Sequence, residues 1–226
     1  MLKRLVEIPD DIWREYVLNY ASTNEARSNW RPLMHEALQH LVQPTIAETV
    51  RLVNTHMFTI LAPKQTQVIK FVASQTPLIF DTMSVLQFGY ASCTGLAILM
   101  VNALRSVGVP ARIVGTNAWH QNITQGNHNW VEVYGDDKQW HFLEPSPNQT
   151  IVDTLDRDPC ERWFCNNYYF GTTRVFAAKL EWDEIEPIYY PLAWEPTNTM
   201  VPGVEVTEYY KEVCGSCGHN DDSATH

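Results

Sequence analysis

Three residue types at three places in this 226-residue chain could together perform acyl transfer. Ser92-Cys93-Thr94-Gly95 precedes the apolar run Leu96 to Leu104, and His128 stands in Gly126-Asn127-His128-Asn129-Trp130. Glu144 follows Trp140-His141-Phe142-Leu143. A cysteine attacks a carbonyl as its thiolate, and a free thiol with a pKa of about 8.5 offers little thiolate at neutral pH. A helix N-terminus and a neighbouring histidine both favour that anion. Cys93 has the first by position, among small polar neighbours rather than on the leucine stripe. A buried core cysteine is the competing reading, common on apolar helices. A carboxylate beyond the histidine would hold its tautomer and stabilise the imidazolium.

Helix and sheet must bring these three together. The run from Cys93 to about Val107 is apolar around most of its circumference, which predicts a buried central helix. Gly108 is its expected stop residue, and Pro110 follows. Ala111 to Gly115 reads as a strand. Asn129 to Tyr134 and Gln139 to Leu143 alternate apolar and polar residues as a hairpin does, with Gly135-Asp136-Asp137 as a three-residue loop. That loop sets His128 opposite Glu144 and Trp130 opposite Phe142. Slipping the register by one residue would put the pair on opposite faces. By the same alternation His141 points away from them. Asp136 and Asp137 belong to the turn, and Glu132 lies too far along its strand. The Cys93 main-chain N–H is the expected oxyanion donor, with Gln87 and Tyr90 as side-chain candidates. Trp119 and His120 could line a substrate cleft, and Trp119 fits a core role equally well.

Elsewhere, helices are expected from Asp10 or Asp11 through Tyr20, from about Asn29 to Val42, and from Thr45 to about Met57. On the second of these, Leu33, Met34, Leu38 and Leu41 would share one face. His35, His40 and His56 fall among these helices without metal-ligand spacing and read as surface or core residues. Residues 62–90 read as short helical pieces punctuated by Pro63 and Pro77. Asp153 to Asn166 reads as helix and loop. Arg174 to Ala178 is a strand candidate, Glu181 to Glu186 a solvated acidic face, and Gly203 to Val213 a last strand or helix. From Cys214 onward a disordered tail is expected.

The composition, 45% hydrophobic with 26 aromatic residues, is that of a chain with a sizeable core. Its net charge of −10 argues against nucleic acid or an anionic membrane as partner. The first residues lack a signal-like apolar stretch, and no run approaches the ~20 residues of a membrane span. A soluble, by default cytoplasmic, protein is expected. The sequons at Asn122 and Asn148 would matter only in a secretory compartment.

The residues around the three candidates resemble the transglutaminase-like superfamily, whose core is papain-like. The resemblance rests on Ser92-Cys93-Thr94-Gly95, Ala103-Leu104-Arg105-Ser106-Val107-Gly108-Val109-Pro110-Ala111-Arg112, His128-Asn129-Trp130-Val131-Glu132-Val133, and Trp140 to Pro145. It covers roughly residues 85–147. Trp163-Phe164 and Val201 to Thr207 look, more weakly, like later segments of bacterial-type members. The resemblance implies an α+β fold with the cysteine-bearing helix packed on an antiparallel sheet. It also implies Cys93 as nucleophile, His128 as general base and acid, and Glu144 as the orienting acid, where the family usually carries Asp. One such domain would span 1–213, with a mainly helical N-terminal region (residues 1–84), a catalytic core (85–147) and a C-terminal extension (148–213), followed by the tail 214–226. The implied substrates are peptide, protein or small-molecule amides, handled through a thioester without metal or cofactor. Hydrolysis is slightly favoured over transfer to an amine, because it needs no second binding site.

Two readings of another class remain. Cys214-Gly215-Ser216-Cys217 with His219, helped by Cys160 and Cys165, could form a zinc or redox module, although a structural zinc site wants four ligands. A binding-only relative would have kept the three site residues without using them.

Overall fold

A computed structural model of the chain describes residues 8–147, 151–182, 185 and 187–218. Three helices come first: α1 (Asp10–Tyr16), α2 (Trp30–Leu38) and α3 (Ile46–Ile60). A short parallel pair, β1 (Lys70–Phe71) and β2 (Tyr90–Ala91), flanks α4 (Thr82–Phe88) and leads into α5 (Cys93–Ser106). Then come β3 (Ala111–Thr116), β4 (His128–Tyr134), β5 (Trp140–Leu143), α6 (Asn167–Phe170), β6 (Phe176–Ala178), β7 (Gly203–Glu205) and α7 (Thr207–Gly215). The last five strands form one antiparallel sheet in the order β5-β4-β3-β6-β7. The architecture is α+β.

The pattern of α5 decides this arrangement. Every residue from Thr94 to Ser106 is buried, so the helix needs neighbours all round. It packs on β3 and β4 and is covered by α2, α3 and α4. Its C-terminal carbonyls meet side-chain nitrogens, among them the Arg31 guanidinium, whose charge the helix dipole favours. Arg31 donates to the Arg105 carbonyl at 2.9 Å, and His35 Nδ1 lies 2.9 Å from the Ser106 carbonyl. Gly108 ends the turn at φ +85°, a conformation that costs glycine nothing. The opposite face of the sheet carries a second, aromatic core of Trp119, Trp130, Phe142, Phe164, Phe170 and Tyr210.

Several expectations need correction. The first helix ends at Tyr16, and the second stops at Leu38, where a single 3-10 turn, Gln39–Leu41, completes it. Leu33 is 46% exposed and does not share the buried face of Met34 and Leu38. Residues 62–90 contain two short strands beside the one helix. The tail is structured at its start, because α7 runs to Gly215 and Cys214 and Cys217 are buried in disulfides. Residues 219–226, Asn148 and some of the acidic stretch after Glu181 lie outside the described residues.

The hairpin register differs too, and in an instructive way. Val131 pairs with Leu143, Glu132 with Phe142, and Tyr134 with Trp140. Gly135 N–H bonds the Gln139 carbonyl at 2.8 Å, so the three-residue loop is Asp136-Asp137-Lys138, one residue later than expected. Lys138 takes φ +63° within it. The reason lies in what the loop touches. Asp136 accepts the Ile46 and Ala47 N–H groups at 3.0 and 3.2 Å, the first free donors of α3, while Thr45 accepts from Glu48 N–H. Asp137 in turn accepts the Gln139 N–H at 3.1 Å. Removing the first contact should be measurable: Asp136→Ala should lower stability by about 1 kcal/mol in urea denaturation. An unchanged midpoint would show that the helix end does not hold the turn.

Candidate active site

Cys93 opens α5 after Ser92, whose hydroxyl makes no cap bond and pairs instead with Thr76 at 2.5 Å. The first N–H groups of the helix are therefore left without a side-chain cap beside the thiol. Cys93 is half-buried and is the free cysteine among the five. His128 begins β4 opposite Thr116 and is 6% exposed. Its Nε2 lies 3.1 and 3.2 Å from the two Glu144 oxygens, which leaves Nδ1 to face the thiol. The three residues singled out in the sequence thus meet around one imidazole.

The charges follow from this geometry. Burial would pull the His128 pKa down, but the Glu144 charge and hydrogen bonds to Cys93 and Glu144 outweigh it and raise it to about 10. Burial would push the Cys93 thiol up. The hydrogen bond and charge of His128, with the Asn129 main-chain N–H, outweigh that and lower it. Both shifts run in the direction of a thiolate–imidazolium pair.

Glu144 reaches the imidazole by an unexpected route. It lies just past β5, and continuing the observed register would set it opposite Trp130 rather than His128. The offset is two residues, so the face is kept and the carboxylate approaches diagonally. Because no ladder holds Glu144, other groups do. Its N–H donates to Asp153 Oδ2 at 2.6 Å, and its carbonyl accepts from Asn54 Nδ2 and Ser146 Oγ, each at 3.0 Å. Arg162 bonds the same Asp153 oxygen at 3.1 Å and the Phe142 carbonyl at 3.0 Å. Asp153 and Arg162 are almost wholly buried, and burial raises the Asp153 pKa against the pull of Arg162.

Sequence reasoning missed that scaffold. Arg162, Trp163 and Phe164 form a segment bracketed by Cys160 and Cys165, which bond to Cys217 and Cys214. Trp163 and Phe164 pack on the His128 ring with centroids 4.9 and 5.2 Å away. Trp119 stacks on it from 6.5 Å, and Trp130 lies at 5.8 Å. From α7, Tyr210 accepts from Trp130 Nε1 and donates to Glu132, both at 2.7 Å. The signal that could have found this segment is the cysteine pair itself, five residues apart around Trp163-Phe164. Those disulfides overturn the metal reading of Cys160, Cys165, Cys214 and Cys217. Among the described residues no cluster of candidate ligands has metal-binding geometry.

The remaining candidates fall elsewhere. Gln87 is exposed on α4, where its carbonyl lies 3.4 Å from Gln65 Nε2. Tyr90 packs against the main core beside Phe88. No hydrogen bond joins either to Cys93 or His128 among the described residues. His141 bonds Asp137 at the exposed turn, and Glu132 is held by Arg112 at 2.6 Å. Asn129 was not expected. Its N–H faces Cys93, and its amide donates to Thr94 Oγ1 at 2.9 Å and accepts from the Tyr190 hydroxyl. Gly115 opposite it leaves the room, since a Cβ there would sit 2.4 Å from the Asn129 oxygen.

Residues 63–145 match the family model described as Transglutaminase-like superfamily. Over this segment the chain is similar to a transglutaminase-like core. The segment contains Cys93, His128 and Glu144, and ends one residue beyond the last of them. Solved structures that align with the chain include a "putative protease" from Parabacteroides distasonis, at 16% identity and TM-score 0.42, over 74% of this chain and 30% of that one. Another is a "putative cysteine protease" from Cytophaga hutchinsonii, at 14% identity and TM-score 0.44, over 88% of this chain and 64% of that one. No curated protein matches. No helix among the described residues is long and apolar enough to cross a membrane.

The Asp153–Arg162 pair lies outside the matched segment, and its support of that segment can be tested. Arg162→Met should destabilise the protein by about 3–5 kcal/mol, because it strands a buried carboxylate. A loss below about 1 kcal/mol in denaturant titration would mean that Asp153 is held by other groups.

Proposed function

We propose that this chain is a thiol hydrolase that opens amide or related acyl bonds through a thioester on Cys93. The observation that carries the reading is the His128 imidazole, bonded on one side to Glu144 and on the other to Cys93. In the first half-reaction Sγ attacks the carbonyl carbon, and the oxyanion forms beside the uncapped N–H groups at the start of α5. The His128 imidazolium gives its proton to the leaving amine as the C–N bond breaks. In the second, His128 takes a proton from water, the hydroxide attacks the thioester, and the carboxylic acid leaves as the thiol is restored. Glu144 keeps the imidazole oriented and favours its charged form throughout. Hydrolysis is favoured over amine transfer because Cys93 is only half-buried and Trp163, at the edge of the site, is 41% exposed, which leaves water a path. The substrate is a peptide, protein or small-molecule amide. The two disulfides favour an oxidising compartment over the cytoplasm that the sequence suggested by default.

Wild-type protein incubated with a panel of glutaminyl, peptidyl and ester substrates should gain the acyl mass on Cys93 in intact-mass spectra. Cys93→Ala should lose both the adduct and turnover while melting normally. Turnover that survives the substitution would remove Cys93 as the nucleophile.

The pH dependence has a definite sign. The lowered Cys93 pKa puts thiolate in place below the ordinary thiol value, and the raised His128 pKa keeps its partner charged up to about pH 10. Alkylation of Cys93 by iodoacetamide should therefore already proceed below an ordinary thiol's pKa of about 8.5 and outpace any other site. Glu144→Gln removes the charge that raises His128, so the alkaline limb of turnover should move to lower pH. An unmoved limb would take Glu144 out of the mechanism.

A further inference from the structure

Cys93 opens α5 and His128 opens β4, so the distance between them depends on how the two elements are joined. The residues next in the chain make that join. Asn129 follows His128, Thr94 follows Cys93, and Asn129 Nδ2 donates to Thr94 Oγ1 at 2.9 Å. The two residues are 5% and 3% exposed, so the bond is made away from bulk water, where it is stronger. It is also neutral, and adds no net charge beside the thiol.

A third segment dictates which way the carboxamide turns. Tyr190, buried beside Asn129, donates its hydroxyl to Asn129 Oδ1. Burial and the nearby Cys93 charge raise the phenol pKa, which keeps the hydroxyl protonated and a donor. With its oxygen committed to Tyr190, Asn129 can offer Thr94 only its NH2 group. Tyr190 is itself fixed next to β7. Its N–H donates to the Val201 carbonyl, and Gly203 N–H donates to the Ile188 carbonyl, each at 2.8 Å. We propose that Asn129 is a positioning residue, whose carboxamide ties the first turn of α5 to β4 and to Tyr190 and so sets how closely Cys93 Sγ meets His128. This role rests on the reading of Cys93 as nucleophile.

The thiolate is favoured only while the imidazole stays within reach, so loosening the tie should return Cys93 toward an ordinary thiol pKa of about 8.5. The measurement is the rate of Cys93 alkylation by iodoacetamide against pH, in which Sγ displaces iodide to form a thioether. Asn129→Ala keeps the main-chain N–H and loses the carboxamide. It should move the inflection up by about one unit, which slows alkylation below the inflection about tenfold. Thr94→Val keeps the shape of Thr94 without the acceptor and should do the same. Thr94→Ser keeps the hydroxyl and should retain the wild-type inflection. If Asn129→Ala fails to fold, the Thr94 pair carries the test alone. A merely structural bond would lower the melting temperature of the variants and leave the inflection in place, and that result would overturn the positioning role. An ordinary thiol profile in the wild-type protein would instead overturn the nucleophile itself.

Discussion

A buried imidazolium between a thiolate and a carboxylate is stable only while both anions stay within hydrogen-bond reach. Charges at about 3 Å in a poorly solvated site attract strongly, but each has lost its water and gains nothing from a partner that drifts away. The rest of the structure can be read as the means of meeting this condition. The thiol is fixed by a helix buried on every side, whose far end is held by Arg31 and His35. The imidazole is fixed by its place at the start of a strand and by four aromatic rings. The carboxylate, beyond the end of its strand, depends on Asn54, Ser146 and Asp153.

How much of this could be read in advance depended on the range of the interaction. The helix of Cys93 was legible because thirteen consecutive buried residues leave a mark in the composition of one stretch. The strands of His128 and Phe142 were legible because alternation is local. The meeting of Cys93, His128 and Glu144 was legible through residue types and family resemblance, since each of the three stands next to a clear element boundary. Asn129, Asp153, Arg162 and the disulfides were not. Each acts through a contact that crosses from one segment to another, and the cysteine pair around Trp163-Phe164 is the one local mark that any of them leaves. The early end of α2 has the same origin: Leu41 is buried in a 3-10 turn, so the apolar spacing continues after the α-helix has stopped.

The hairpin shows why His128 and Glu144 meet although the expected register was wrong. A β-strand repeats every two residues, so an offset of two preserves which side chains share a face and changes only which are directly opposed. Glu144 moved from a position opposite His128 to one opposite Trp130, and a side chain with three rotatable bonds spans the diagonal. The offset itself came from Asp136 at the start of α3, ninety residues earlier in the chain. A helix end therefore helped to decide how an acid approaches a histidine on the other side of the core.

The same logic explains where the buried charges are. Arg112–Glu132, Asp153–Arg162 and His128–Glu144 all lie on the sheet or on the segment covering its aromatic face. Buried ion pairs are poor sources of stability, because desolvation offsets most of their attraction. What they give is direction: a fork of guanidinium donors accepts one arrangement of carboxylate and carbonyl oxygens and few others. Arg162 uses that fork to tie Asp153 to the Phe142 and Thr154 carbonyls, one residue from the His128 contacts of Trp163. Two disulfides then anchor that segment to α7, whose Tyr210 returns to the sheet at Trp130 and Glu132. The loop from sheet to segment to helix and back is closed by covalent and directional bonds. A merely apolar covering would hold the same volume, but it would leave the imidazole free to turn away from the thiol.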